Sequence, residues 1–349
     1  MPAATSLVQL PGFLEGFTAA FRLRAMPNSP DPAILFFLFG VVAGGLRSNL
    51  EIPPQISRFL SLYLLMALGL KGGFALAKSG LTPEVAMSLG AALLLAFAVP
   101  LLGYQLLRRF LNGYDAAAIA ATYGSVSAVT FVTAVQYLDN HGVPYGGHMA
   151  AAMALMESPA IIMAVLLANL VRQRDSQRLA QGISNPPLGK ILHESLTDGA
   201  QLLLIGAMVV GLLVGPPGEA AMKPFSVDLF KGMLAFFLMD MGLLTVRNIG
   251  ELKGKSPWLL VYAILAPLVH AGAALALGVS MNLSVGNVTL LMVLAASASY
   301  IAVPAVIRHA IAEANPSLYF GMSLGLTFPF NILFGIPLYA AIAQRFAVS

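Results

Sequence analysis

Cysteine is missing from this sequence altogether. That excludes disulfides, thiolate metal ligands and thiol nucleophiles. Charge is scarce as well: 10% of the 349 residues are Asp, Glu, Lys or Arg, where soluble domains carry roughly 25%. So little charge cannot cover a water-facing surface, and lipid must cover it instead. No His-Glu-x-x-His motif occurs, and no Ser/His/Asp cluster falls at a consistent depth, so the sequence offers no enzyme site. A secretory leader is also absent from the reading. Within 1–30, Glu15 comes early and Arg22 and Arg24 late, the reverse of a signal peptide.

What remains is apolar. Residues of the hydrophobic types make up 58% of the chain, and the mean hydropathy is +0.83. The expected fold class is an all-α polytopic membrane protein. Ten spans are expected: Pro32–Leu46, Ile56–Ala77, Val85–Leu106, Asp115–Leu138, Gly147–Val171, Ala200–Val214, Asp228–Val246, Pro257–Asn282, Val288–Ala310 and Ser317–Ala343. Phe13, Phe17 and Phe21 recur at helical spacing, which suits an interfacial helix in 1–30.

The longest polar interval, 173–198, divides the chain into 31–172 and 199–349. Placing that interval in the cytoplasm puts twelve Lys and Arg residues on the inner side and six on the outer. The positive-inside rule favours this orientation, with both termini outside a bacterial inner membrane. The net charge of +4 is then loop charge, and nucleic acid is not an expected partner.

The two halves resemble one another at a nearly constant offset of 167 to 173 residues. Leu65–Leu70 matches Leu238–Leu243, Pro100 matches Pro267, Gly124–Ser127 matches Ala296–Ser299, and Pro159 matches Pro329. Five spans per half would turn the second copy upside down, giving two inverted five-helix repeats, an architecture of many secondary transporters.

The fourth and ninth spans are interrupted at corresponding places. Gly124, Ser125, Val126 and Ser127 follow the run Ala118–Ala121, and Ser297, Ala298, Ser299 and Tyr300 follow the apolar run Leu291–Leu294 and two alanines. Small polar sequence there also permits close helix packing. If both helices break, each second half presents free N–H groups and a positive dipole end near the midplane. A small anion between two such ends needs no arginine. These eight residues are the candidate substrate site.

Charged and polar residues inside the spans form a second group. Lys71, Glu157 and Asp240, with Thr130, Thr327 and Asn331, are candidates for ion coupling or charge compensation, because each is costly in lipid and must face the protein interior. Asn331 is expected to satisfy backbone released by Pro329. His270 reads as a helix-packing residue, and His141 and His148 as a solvated outer turn with no metal. A passive anion channel or a membrane sensor is the alternative to a carrier.

On Gly124–Thr130, Ala295–Pro304, Ala314–Tyr319, Thr327–Pro329 and Gly335–Leu338, the chain resembles the sodium-dependent bicarbonate transporters of the SbtA type. Ile249–Leu252 and Ala266–His270 also fit, and the likeness spans nearly all the chain. It implies ten helices in inverted repeats with a core and a gate domain, and assembly as a homotrimer. It further implies bicarbonate held at Gly124–Ser127 and Ser297–Ser299 with Na+ close by. The pattern differs in places. Tyr300 stands where that family has an aspartate, Lys71 where it has a threonine, Leu243-Leu244 where it has a glutamate, and Glu157 where it has an aspartate. A fixed cation repels Na+, so Lys71, paired with Glu157, is expected to replace one sodium and leave transport proton-coupled or uncoupled. No other cofactor is expected.

Overall fold

The computed structural model describes residues 31–80, 82–176, 199–249, 256–301, 303–304, 306–307 and 311–347. The interfacial segment 1–30 and positions 177–198 of the linker lie outside the described residues, as do Gly250–Leu252 and Arg308. The regular elements among the described residues are helical: α1 (Pro32–Gly45), α2 (Pro54–Ser79), α3 (Pro83–Leu107), α4 (Gly113–Gly124), α5 (Ala128–Asn140), α6 (Met149–Ser176), α7 (Gly199–Lys223), α8 (Phe230–Ile249), α9 (Pro257–Ser280), α10 (Val285–Ala296), α11 (Pro316–Met322), α12 (Phe328–Phe330) and α13 (Ile336–Phe346). Among the described residues, seven stretches are long and apolar enough to cross a bilayer, and α1 and α10 are shorter apolar helices. The chain is a multi-pass membrane protein.

Local chemistry sets the boundaries. Proline opens α1, α2, α3, α9 and α11, where its missing N–H costs nothing. Asp31, Thr82, Asn112 and Asn315 cap first turns with side-chain oxygens. Gly215 adopts a left-handed φ of 55° ahead of Pro216-Pro217 and turns α7. The sequence reading ended its sixth span at Val214; the helical path instead continues past the kink to Lys223 and joins α8 through a π-helical turn at Pro224–Asp228. The last span is one continuous path too, but Ser323–Thr327 and Asn331–Gly335 are π-helical around Pro329.

Packing sorts the helices. α1 lies along α8 and α2 along α7, while α3, α4 and α6 pack together and α9 packs on α10. The first group meets itself at glycines: a Cβ added at Gly242 would strike the Phe37 carbonyl, and one at Gly73 the Met208 carbonyl. The stretch Gly113–Asn140, which holds α4 and α5, is buried over most of its length, whereas most of α9 is not. α10 is buried along almost its whole length. The interrupted helices therefore sit in the protein's centre, the one environment in which broken backbone survives at membrane depth.

Candidate functional site

Both interruptions are real. Ser125, Val126 and Ser127 separate α4 from α5, and helical conformation lapses from Ser297 to Ile301 before it resumes at Val303. The two unwound stretches touch. The Ser127 N–H donates to Ser297 Oγ at 3.0 Å, and the Ser299 N–H donates to the Thr122 carbonyl at 2.8 Å. Each restarting helix is capped by its own serine: Ser127 Oγ accepts from the Thr130 N–H at 3.2 Å, and Ser299 Oγ from the Val303 N–H at 3.3 Å. Such a cap is worth about 1 kcal/mol. The Thr130 hydroxyl adds a second bond to Ser127 Oγ at 2.9 Å.

The sequence reading gave all four serines to a ligand, and the structure divides them. Ser297 Oγ also donates to the Leu294 carbonyl at 2.9 Å, so its one O–H is taken by backbone. Ser125, 172 positions earlier and at the matching place, is 1% exposed and its Oγ has no hydrogen-bond partner among the described residues. The Tyr300 hydroxyl is likewise buried and unpartnered, though it lies against Ser127. Its ring packs edge-on to Phe328 at 5.3 Å. Gly124 fits tightly under the Pro100 ring, and Val126 and Ala298 are buried. Ser125 and Tyr300 thus offer the unclaimed hydroxyls of the crossing, next to two helix N-termini.

A cavity of about 1060 Å³ opens toward this point. Ser57, Arg58, Asp240 and Arg247 line one wall, and Tyr300, Ile301, Ser317 and Phe320 the other. Asp240 is buried, with Ser57 beside it and Oδ2 lacking a hydrogen-bond partner among the described residues.

Polar contacts gather on the other side of the protein. Lys71 Nζ pairs with Asp139 Oδ2 at 3.2 Å and lies 4.7 Å from the centre of the Phe230 ring. The Tyr145 hydroxyl donates to Asp139 Oδ1 at 3.0 Å. Asn140 donates to Asp31 and accepts from Lys231 Nζ at 2.8 Å. The salt bridge of Lys71 is therefore with Asp139, not with the Glu157 expected for it, because the end of α5 returns to the level of Lys71. Glu157 is partly buried in α6.

Three other residues differ in detail. Asn331 does satisfy backbone, but not backbone freed by Pro329: its Nδ2 donates to the Ala296 carbonyl at the end of α10, 2.8 Å away, while Oδ1 accepts from the Tyr339 hydroxyl at 2.9 Å. Thr327 Oγ1 donates to the Ala263 carbonyl at 2.7 Å and meets the Tyr123 hydroxyl at 2.6 Å. His148 is not solvated. It is 5% exposed and sits near Glu84, which accepts from the Ser284 N–H and from Asn287. No cluster that could hold a metal occurs among the described residues. Asp139 and Asn140 were passed over in the sequence, where the fourth span was ended at Leu138; both belong to the last turn of α5.

Residues 32–344 match the family described as the Na+-dependent bicarbonate transporter superfamily. No curated protein matches the chain.

Proposed function

This chain belongs to the Na+-dependent bicarbonate transporter superfamily, a family of transporters and not of enzymes, and on that footing we propose that it is a secondary carrier of a small anion, bicarbonate first. The observation that carries the reading is the buried crossing of two interrupted helices, stitched by Ser127 to Ser297 and Ser299 to Thr122, with a large cavity ending on Tyr300. Backbone N–H groups and the Ser125 and Tyr300 hydroxyls supply donors at the crossing itself, while Arg58 and Arg247 line the cavity that leads to it.

An inverted repeat of two five-helix units is supported by contacts that recur at the sequence offset. Asp115 Oδ1 accepts from the Asn315 N–H at 2.7 Å, and Asn287 Oδ1 accepts from the Gly146 N–H at 2.7 Å. The offsets, 115 to 287 and 146 to 315, are 172 and 169 residues. The close approach of Gly40 to Gly242 has its counterpart in Gly211 and Gly73. Helices α1, α2, α7 and α8 form one bundle and the remainder the other, and alternating access comes from movement of one against the other.

With 173–198 placed in the cytoplasm, the large cavity faces inward and the Lys71–Asp139 and Asp31–Asn140–Lys231 contacts seal the outer side. The carrier is then inward-open, in a bacterial inner membrane with its termini outside. Lys71 serves this outer seal and does not stand in for a sodium at the crossing, and Na+ remains the co-transported ion. Homotrimeric assembly is part of the same proposal. Uptake of labelled bicarbonate by proteoliposomes, with sodium and pH gradients imposed separately, tests it. Accumulation above equilibrium that follows the sodium gradient supports the carrier, and purely downhill flux would make the protein a channel.

A further inference from the structure

The donors at the crossing do not choose among small anions, since N–H and O–H groups serve chloride, nitrate and bicarbonate alike. The choice falls to the group across the cavity. Asp240 stands midway along α8, 5% exposed, with Oδ2 lacking a hydrogen-bond partner among the described residues. It lines the same cavity as Tyr300 and lies within electrostatic reach of it. Ser57 faces the carboxylate, and Arg247 acts on it from two turns along the same helix. A carboxylate is an acceptor and carries negative charge. Toward an anion without hydrogen it is only repulsive. Toward an anion that brings its own O–H it is the acceptor that the serine and backbone donors cannot provide.

We propose that Asp240 determines specificity by accepting the O–H of a singly protonated oxyanion, hydrogen carbonate, whose remaining oxygens take the donors of Tyr300 and the helix ends. Anions that lack an O–H are turned away by the same carboxylate. The inference rests on the anion-carrier reading and narrows its substrate class. Sites built to bond a substrate hydroxyl discriminate strongly against analogues without one, because the buried polar group is then left unmet.

The experiment is competition against labelled bicarbonate uptake in proteoliposomes. Chloride and nitrate serve as competitors without O–H, and hydrogen sulfite, at a pH where it is the monoanion, as one that has it. In the wild-type protein hydrogen sulfite competes and nitrate and chloride do not. In Asp240→Asn, nitrate and chloride gain at least about tenfold in potency relative to hydrogen sulfite, within the usual span of coupling between neighbouring groups. Equal competition by nitrate and hydrogen sulfite in the wild type overturns the assignment, and so does unchanged selectivity in Asp240→Asn. The wild-type comparison decides by itself if the variant fails to reach the membrane. A wild-type protein that takes up no anion at all sinks the carrier reading, a result distinct from transport without selectivity.

Discussion

The amide of Asn331 donates to the carbonyl of Ala296, so a side chain from the last span closes the end of a half-helix 35 positions earlier. Four carbonyls at any helix end lack intrahelical partners, and at this depth water is not at hand to take them. Asn331→Ala leaves the Ala296 carbonyl and the Tyr339 hydroxyl without it. An unmet buried polar group costs about 1–3 kcal/mol. Thermal unfolding in detergent is expected to show that loss, with Asn331→Asp, which still accepts from Tyr339, falling between the variant and the wild type.

Ser125 and Ser297 should behave differently despite their matching positions. Ser125 Oγ bonds nothing in the protein, so Ser125→Ala is expected to leave the melting temperature in place and weaken the anion about tenfold, the worth of one hydrogen bond. Ser297→Ala strips the acceptor from the Ser127 N–H and lowers stability itself. Melting curves and a dissociation constant for bicarbonate, measured on both variants, separate the two roles; equal effects would contradict them.

The helical, membrane-spanning class and both interruptions were readable from the sequence, because each is encoded locally. Apolar runs mark the spans, and Gly124–Ser127 and Ser297–Tyr300 cannot support an unbroken ladder between apolar neighbours. What escaped was made by distant contacts. Asp139 and Lys71 are 68 positions apart, and nothing near either residue announces the other. His148 reads as an exposed turn until α3 brings Glu84 against it. That three serines cap or brace backbone while Ser125 does not is a matter of tertiary geometry, invisible in a motif that repeats the same letters.

Acid should weaken the fold through His148. Burial holds its imidazole below the ordinary value of 6.5, outweighing the opposing pull of the Glu84 carboxylate. The unfolded chain therefore binds a proton there before the folded protein does. Stability from the neutral ring is complete above pH 6.5, the unfolded value, and is lost as pH falls from there through the lower folded one. Melting temperature is expected to drop by a few degrees across that window, and His148→Gln to flatten the drop. A wild-type curve that rises on acidification would reverse the sign.

In the orientation proposed above, opening the outer side should need little force. The Lys71–Asp139 pair is partly exposed, and such pairs contribute under about 1 kcal/mol each. Lys71→Ala with Lys231→Ala is expected to shift the balance of open states about tenfold toward outside. Because the natural chain has no cysteine, a single Cys at Val135, on the wall of the outer pocket of about 390 Å³, reports the shift directly. Its labelling by an impermeant maleimide should quicken in the double variant, and an unchanged rate would free Lys71 and Lys231 from this duty.

Main chain meets main chain at Gly40 and Gly242, and again at Gly73 and Gly211. Helices joined so closely have no side chains between them to slide or reshuffle, and interiors packed to that degree resist deformation. These glycines join α1 to α8 and α2 to α7 as two tightly packed pairs. On the carrier reading proposed above, the crossing and its surrounding helices ride along those pairs as freight, and substitutions at these glycines are expected to slow every substrate alike without touching which one is chosen.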